Sequence, residues 1–379
     1  MQKPIASEVG PIRPPSESHS LLIRLSRNCS WNRCLFCPVY KESKFSLRTV
    51  TDLVEEINHL ASIKNKLQEL LKDTSFSSLS FNLSNFFEPV AVYDAHRILH
   101  WLYHKEYTVF LQDADPLLRK TDDLIKILSC LKSAFPETTR ITAYARATTV
   151  RRIPTDVLKL LKSYGLTRIH TGLESGSNKV LEYVKKGITK EDIIVAAAKL
   201  KEAAIQLSLY VMPGLGGKTF EKEHISETID AINKAKPEFV RFRTLALNPA
   251  IPLYKAFLDG DFLLPSEEDM VKEIRDIITD IAVNLTVFSD HNLNLLMDVN
   301  GYLPRDTEII LTKINRFLSL PEDVKLKFII ARRLNYLYEL GEFLNSKIDA
   351  EVLHLFNKVS SMNESEREKL FLELRSNSL

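Results

Sequence analysis

Arg140-Ile-Thr-Ala-Tyr-Ala145, Thr155-Asp-Val-Leu-Lys-Leu-Leu-Lys-Ser-Tyr164 and Arg168-Ile-His-Thr-Gly172 follow one another in the middle of the chain. The outer two are short runs of strand length rich in β-branched residues. The middle one repeats its leucines at helical spacing. A strand, a crossing helix and a second strand in so few residues make a parallel pair with its connection packed on one face. The rhythm continues outward in both directions. Val109-Phe110-Leu111 reads as a strand followed by a helix over 121–135. Downstream come helices over 179–184 and 190–203, a strand over 206–212, a helix over 220–235 and a strand over 239–245. Upstream, Leu21-Leu22-Ile23-Arg24-Leu25 is a strand and 50–71 a helix with Thr51 and Asp52 as cap candidates. The stretch between is assigned a strand near 79–83 and a helix over 96–103. Alternation of this kind specifies an α/β protein with a parallel sheet and helices outside it. Sites in such sheets form at the carboxyl ends of the strands.

Beyond residue 261 the alternation stops, and 265–288, 306–317, 321–340 and 350–374 read as mainly helical. The expected organisation is an N-terminal arm (1–20), a core (21–262) and a C-terminal helical region (263–379). The arm carries Pro11, Pro14 and Pro15 and no apolar secretion signal.

The chain has 379 residues, 45% of them hydrophobic and 26% charged, with a net charge of +2. That is enough apolar material for a large core and too little charge to argue for nucleic acid or an anionic membrane. No apolar run is long enough to span a bilayer, and a cytoplasmic location is expected. Of four cysteines, three fall in Cys29-Ser-Trp-Asn-Arg-Cys34-Leu-Phe-Cys37, a C-x4-C-x2-C spacing. Clustered thiols point to metal or cluster ligation rather than a disulfide framework. Three thiolates leave one iron of a four-iron cluster without a protein ligand, and an open position marks a catalytic centre. A zinc site would need a fourth Cys or His; Cys130 sits in an apolar helical pattern, and neither His19 nor His59 has ligand-like spacing. Arg24, Arg27, Arg33 and Arg48 lie near enough in sequence to offset the charge of a bound cluster.

The cysteine loop, with Phe36 before its last thiol and a strand leading in, resembles the signature of the radical S-adenosylmethionine superfamily. The usual spacing there is C-x3-C-x2-C, so this chain carries one extra residue. Pro11-Ile-Arg-Pro-Pro-Ser-Glu17, Arg27-Asn-Cys-Ser-Trp-Asn-Arg-Cys34 and Cys37-Pro-Val-Tyr-Lys41 resemble a subgroup with this longer spacing, on a core similar to the elongator and oxygen-independent coproporphyrinogen oxidase type. The likeness runs from about residue 11 to at least Pro249. It implies a partial (β/α)6 TIM-like barrel, a [4Fe-4S] cluster held by Cys29, Cys34 and Cys37, and S-adenosyl-L-methionine as second cofactor.

The resemblance also implies where that cofactor is held. The segment after the second strand is Gln112-Asp113-Ala114-Asp115, which lacks the family's glycines; Asp113 and Asp115 would serve equally as a capping turn before Pro116. Arg146 ends the next strand and suits a carboxylate or a surface ion pair. In Thr171-Gly-Leu-Glu174-Ser175-Gly-Ser177, Glu174 and Ser175 suit ribose hydroxyls, with a helix cap at Ser177 as the plain alternative. Val211-Met212-Pro213-Gly-Leu-Gly216-Gly-Lys-Thr219 resembles the segment beside the adenine, with Tyr210 next to it. It fails as a phosphate loop because Met212 stands where the first glycine is required. Leu245 or Leu247 would cover the adenine or fill core.

The implied activity is reductive cleavage of S-adenosylmethionine to a 5′-deoxyadenosyl radical that takes hydrogen from a substrate, with electrons from a flavodoxin- or ferredoxin-type donor. A non-enzymatic iron–sulfur or zinc protein is the competing class and predicts a closed four-ligand site. A tRNA substrate is the competing reading within the class; near-neutral charge and the lack of an RNA-binding module favour a small molecule. No second cysteine cluster suggests auxiliary iron–sulfur centres, and the segment before the loop is too short for a cobalamin domain.

Overall fold

The computed structural model describes residues 7–336 and 339–376. They form two compact units. The first runs up to Asn32 and includes Val39–Thr171 and Ala198–Leu207; the second comprises Arg33–Pro38, Gly172–Ala197 and the described chain from Ser208 onward.

The first unit contains strands β1 (Leu21–Arg24), β2 (Ser26–Arg27) and β3 (Ser46–Leu47), and helices α1 (Val50–Leu70), α2 (Phe76–Phe81) and α3 (Pro89–His104). These are followed by β4 (Thr108–Gln112), α4 (Thr121–Ala134), β5 (Arg140–Tyr144), α5 (Ala147–Arg152), α6 (Thr155–Ser163) and most of β6 (Leu166–Glu174). Strands β1, β4, β5 and β6 pair in that order, all parallel. All five residues of β4 are buried, as expected of a parallel strand covered on both faces. The opening strand–helix–strand reading is therefore the observed β5–α6–β6 unit.

Helix α1 buries Leu53, Ile57, Leu60, Ile63 and Leu67, a 3–4 residue repeat facing α3 and α4. Its N-cap is Thr49, whose hydroxyl accepts from the Asp52 N–H at 3.0 Å, not Thr51 or Asp52. The strand expected near 79–83 is helix α2. Ser75 caps it by accepting from the Ser78 N–H, and Leu79 and Leu83, four residues apart, are the buried positions while Phe81 is exposed. The alternating Ser-Leu-Ser-Phe spelling suggests period two, but burial follows the helical period.

The second unit holds the end of β6, α7 (Asn178–Tyr183), the start of α8 (Lys190–Glu202), and β7 (Gln206–Val211) from Ser208 on. Next come α9 (Glu221–Ala235), β8 (Phe239–Phe242), α10 (Leu253–Leu258), α11 (Glu267–Thr279), β9 (Leu285–Phe288) and β10 (Gly301–Leu303). The unit ends with α12 (Thr307–Leu318), α13 (Glu322–Arg333), α14 (Leu340–Asn345), α15 (Ala350–Ser360) and α16 (Glu364–Ser376). Strand β7 pairs with β8 and β8 with β9 in parallel, and β10 closes antiparallel on β9. All six strands of the predicted rhythm are present. The region read as helical over 265–288 instead breaks at Thr279, and its last residues form β9.

Candidate cluster and cofactor site

Strand β2 feeds the cysteine loop. Cys29, Cys34 and Cys37 are each half-buried and none is in a disulfide. In the first unit, Asn28 and Asn32 take the left-handed backbone that asparagine tolerates (φ 65° and 44°). The Asn32 N–H points at Cys29 Sγ at 3.4 Å. In the second unit, Cys34, Leu35 and Cys37 pack against an apolar cluster that includes Phe36, Met212, Leu215, Leu247 and Phe262. The Leu35 backbone is tied at both ends, its N–H to Val184 O and its C=O to the Leu253 N–H, both at 2.9 Å. Soft donors, one of them reached by a backbone N–H and two seated against apolar side chains, suit a thiolate-bound iron–sulfur cluster.

The nearby arginines are occupied. Glu8 of the arm accepts from Arg24 at 2.8 Å and Arg27 at 2.7 Å, and Arg48 pairs with Glu56 at 2.8 Å. Three of the cations expected to offset a cluster's charge thus hold carboxylates.

At the carboxyl end of β4, Gln112 is buried and spent on the arm. Its Oε1 accepts from the Gly10 N–H at 3.0 Å and its Nε2 donates to Ile12 O at 2.7 Å. A Cβ on Gly10 would lie 2.5 Å from Asp113 Oδ1, so only glycine lets the arm pass so close. Asp113 accepts from Arg24 Nε at 2.8 Å and from the Tyr40 hydroxyl at 2.7 Å. Burial nonetheless raises its carboxyl above the ordinary value, with those donors opposing. Ala114 is half-buried. Asp115 is fully buried, accepts from the Thr149 hydroxyl, and leaves Oδ1 without a hydrogen-bond partner. Burial pushes its carboxyl up to about 7 against Thr149 and Arg146. It precedes Pro116 but its side chain caps nothing, so the capping-turn explanation does not account for it. Arg146 precedes α5 and lies over the Trp31 ring, 4.7 Å from its centroid.

In the second unit Glu174 ends β6 with φ 61°, an unusual conformation for a residue bearing a Cβ. Its carboxylate accepts from Lys186 Nζ at 2.8 Å, and its C=O from the Met212 N–H at 2.9 Å. Lys186 also stands over the Phe36 ring at 5.5 Å. Ser175 is buried and meets His224 Nδ1 at 2.7 Å, while His224 Nε2 faces Glu273 at 2.8 Å. Ser177 caps α7 and donates to Glu223. Gly176 packs where any Cβ would sit 2.0 Å from Glu227 O. Tyr210 is half-buried on β7. Met212, Leu245 and Leu247, which the sequence reading puts beside the adenine or in the core, share one apolar cluster with Phe36. The supporting set of Tyr40, Thr149, Lys186, His224 and Glu273 was not read from sequence. Lys186 lies 12 residues from Glu174, and Thr149, Tyr40 and His224 lie 34, 73 and 49 residues from their partners, so no helical or strand period pairs them.

The class these features define is an α/β protein with parallel strand pairing and a C-x4-C-x2-C loop that leaves strand β2. Residues 86–231 match the family described as the radical SAM superfamily. The chain is similar to the tRNA uridine(34) acetyltransferase of Methanocaldococcus jannaschii, 29% identical over 31% of this chain and 22% of that one. It is also similar to the heme chaperone HemW of Bacillus subtilis, 21% identical over 42% of each. Among solved structures it is similar to coproporphyrinogen III oxidase (HemN) from Escherichia coli, with a TM-score of 0.45, 15% identity, and 69% of this chain and 51% of that one covered. The chain thus spans between a fifth and about two fifths of the two curated relatives' lengths. Among the described residues no helix is long and apolar enough to cross a membrane.

Proposed function

We propose that the protein is a radical S-adenosylmethionine enzyme whose [4Fe-4S] cluster is held by Cys29, Cys34 and Cys37. The observation that carries this is the loop itself: three cysteines at C-x4-C-x2-C spacing, none in a disulfide, entered from strand β2 of a chain whose residues 86–231 match the radical SAM family. When bound, cluster and cofactor supply reductive cleavage of the sulfonium and a 5′-deoxyadenosyl radical that takes hydrogen from substrate.

The chain's own residues do the holding and shielding. Gln112 to Asp115 present polar groups at the end of β4, fixed from behind by the arm, Arg24 and Tyr40. Glu174, aimed by its left-handed backbone and by Lys186, offers an acceptor for ribose hydroxyls, with Ser175 beside it in sequence. Phe36, Tyr210, Met212 and Leu247 offer an apolar bed for the adenine, and Arg146 a cation for a carboxylate. We propose a small-molecule substrate in preference to tRNA, from the net charge of +2, and a low-potential flavodoxin or ferredoxin as donor.

Iron and sulfide analysis after anaerobic reconstitution tests the ligand set. About four of each per chain are expected, together with a change in the reduced cluster's electron paramagnetic resonance signal on adding S-adenosylmethionine. Full iron loading with no spectral response to the cofactor points to the closed-site, non-enzymatic alternative.

A further inference from the structure

His19, near the end of the arm, and His100 and His104 of α3 lie in the first unit and take no part in the site described above. One ring nitrogen from each lies within 4.8 Å of the others. His100 and His104 are one turn apart on α3, with their Nε2 atoms 3.0 Å from each other. Two imidazoles on one tetrahedral ion at bond lengths of about 2.0–2.1 Å would have nitrogens roughly 3.3 Å apart, so this pair is nearly spaced for one. His19 donates through Nδ1–H to Glu106 Oε1 at 2.9 Å. A carboxylate there fixes the Nδ1–H tautomer and leaves Nε2 as the free donor, the outer-shell arrangement that orients metal-binding histidines. The His19 ring is stacked on His104, centroids 3.5 Å apart, so loading an ion would turn it off that stack.

We propose that His19, His100 and His104 form a divalent transition-metal site, of zinc type, with Glu106 as the positioning carboxylate. Neutral imidazoles suit this class of ion better than calcium or magnesium. Three protein donors leave a fourth position open, and His100 also lines a cavity of about 590 Å3 with Arg13, Ser18, His96 and Tyr103. A water or a small anion entering by that cavity would complete the coordination. The alternative is that the three rings only stack and hydrogen-bond with one another.

The test separates this site from the cysteine loop. Untagged full-length chain carrying Cys29→Ala, Cys34→Ala and Cys37→Ala is titrated with Zn2+ against a chromophoric chelator and with Co2+ by visible spectroscopy. One equivalent is expected, with a cobalt spectrum free of thiolate bands. His100→Ala and His104→Ala should each lose it, and Glu106→Gln should weaken it roughly 10–100-fold. Because the triple variant could fold poorly, the wild-type chain with its cluster loaded is dialysed against buffered zinc and its metals counted. One zinc beyond the iron is expected, absent from His100→Ala. No bound equivalent in either protein, or equal affinity in His100→Ala and His104→Ala, overturns the site. Neither outcome bears on the cluster or on cofactor cleavage.

Discussion

At the scale of single residues, two carboxylates behave differently from their sequence neighbours. Asp115 is held up to about 7 by burial, with one oxygen unpartnered. Its unfolded value is near 3.8. The fold therefore favours the protonated acid, and stability is lost as pH rises through the window from about 4 to about 7. The loss is on the order of 1 kcal/mol per pH unit for one such group. Asp115→Asn mimics the neutral form, and its urea midpoint should stay flat across that window where the wild type declines; parallel curves would contradict this. Glu174 is instead a charged acceptor held by Lys186. Glu174→Gln should weaken S-adenosylmethionine binding about tenfold or more, the worth of a hydrogen bond to a charged group, with iron content unchanged. Calorimetric titration of the reconstituted protein checks it, and an unchanged affinity would remove Glu174 from the site.

At the scale of elements, the second unit is pinned by a buried ion triad. Glu267 at the start of α11 accepts from Arg333 of α13 at 2.6 Å and from Arg375 of α16 at 2.8 Å. Burial alone would raise the Glu267 carboxyl, but the two guanidiniums outweigh it and hold it down to about 2. A depressed acid contributes stability above its unfolded value near 4.5, lost as pH falls toward 2. Glu267→Gln strands two buried cations, at a cost of about 3–5 kcal/mol, and should flatten the acid side of the stability curve. Chemical denaturation at several pH values reads both effects. This triad was not legible beforehand, because its members lie 66 and 108 residues apart. The long periodic elements were: α4, α6, α9 and the six strands from β1 to β8 that carry the rhythm fall where the sequence places them, to within a few residues. The failures have local causes. Ser-Leu-Ser-Phe over 78–81 alternates in spelling, yet a serine cap and the Leu79–Leu83 pair make it helical. Strand β9 is four residues at the end of a helical run, too short to show its own period.

At the scale of the whole molecule, the cysteine spacing and the parallel alternation together carry the resemblance to the superfamily, because each is a local pattern a single sequence can carry. The supporting contacts could not be read that way. That Gln112 faces the arm, or that Ser175 leans on His224, depends on which strand ends and helices the fold sets side by side. The extra residue between Cys29 and Cys34 sits in a loop with two left-handed asparagines, which gives the chain a way to absorb it without moving the strands. The central claim is that this loop drives cleavage of S-adenosylmethionine. Reconstituted protein incubated anaerobically with dithionite and S-adenosylmethionine should release 5′-deoxyadenosine, and the Cys34→Ala chain should release none. No product from a fully loaded cluster, or equal product from Cys34→Ala, would contradict it.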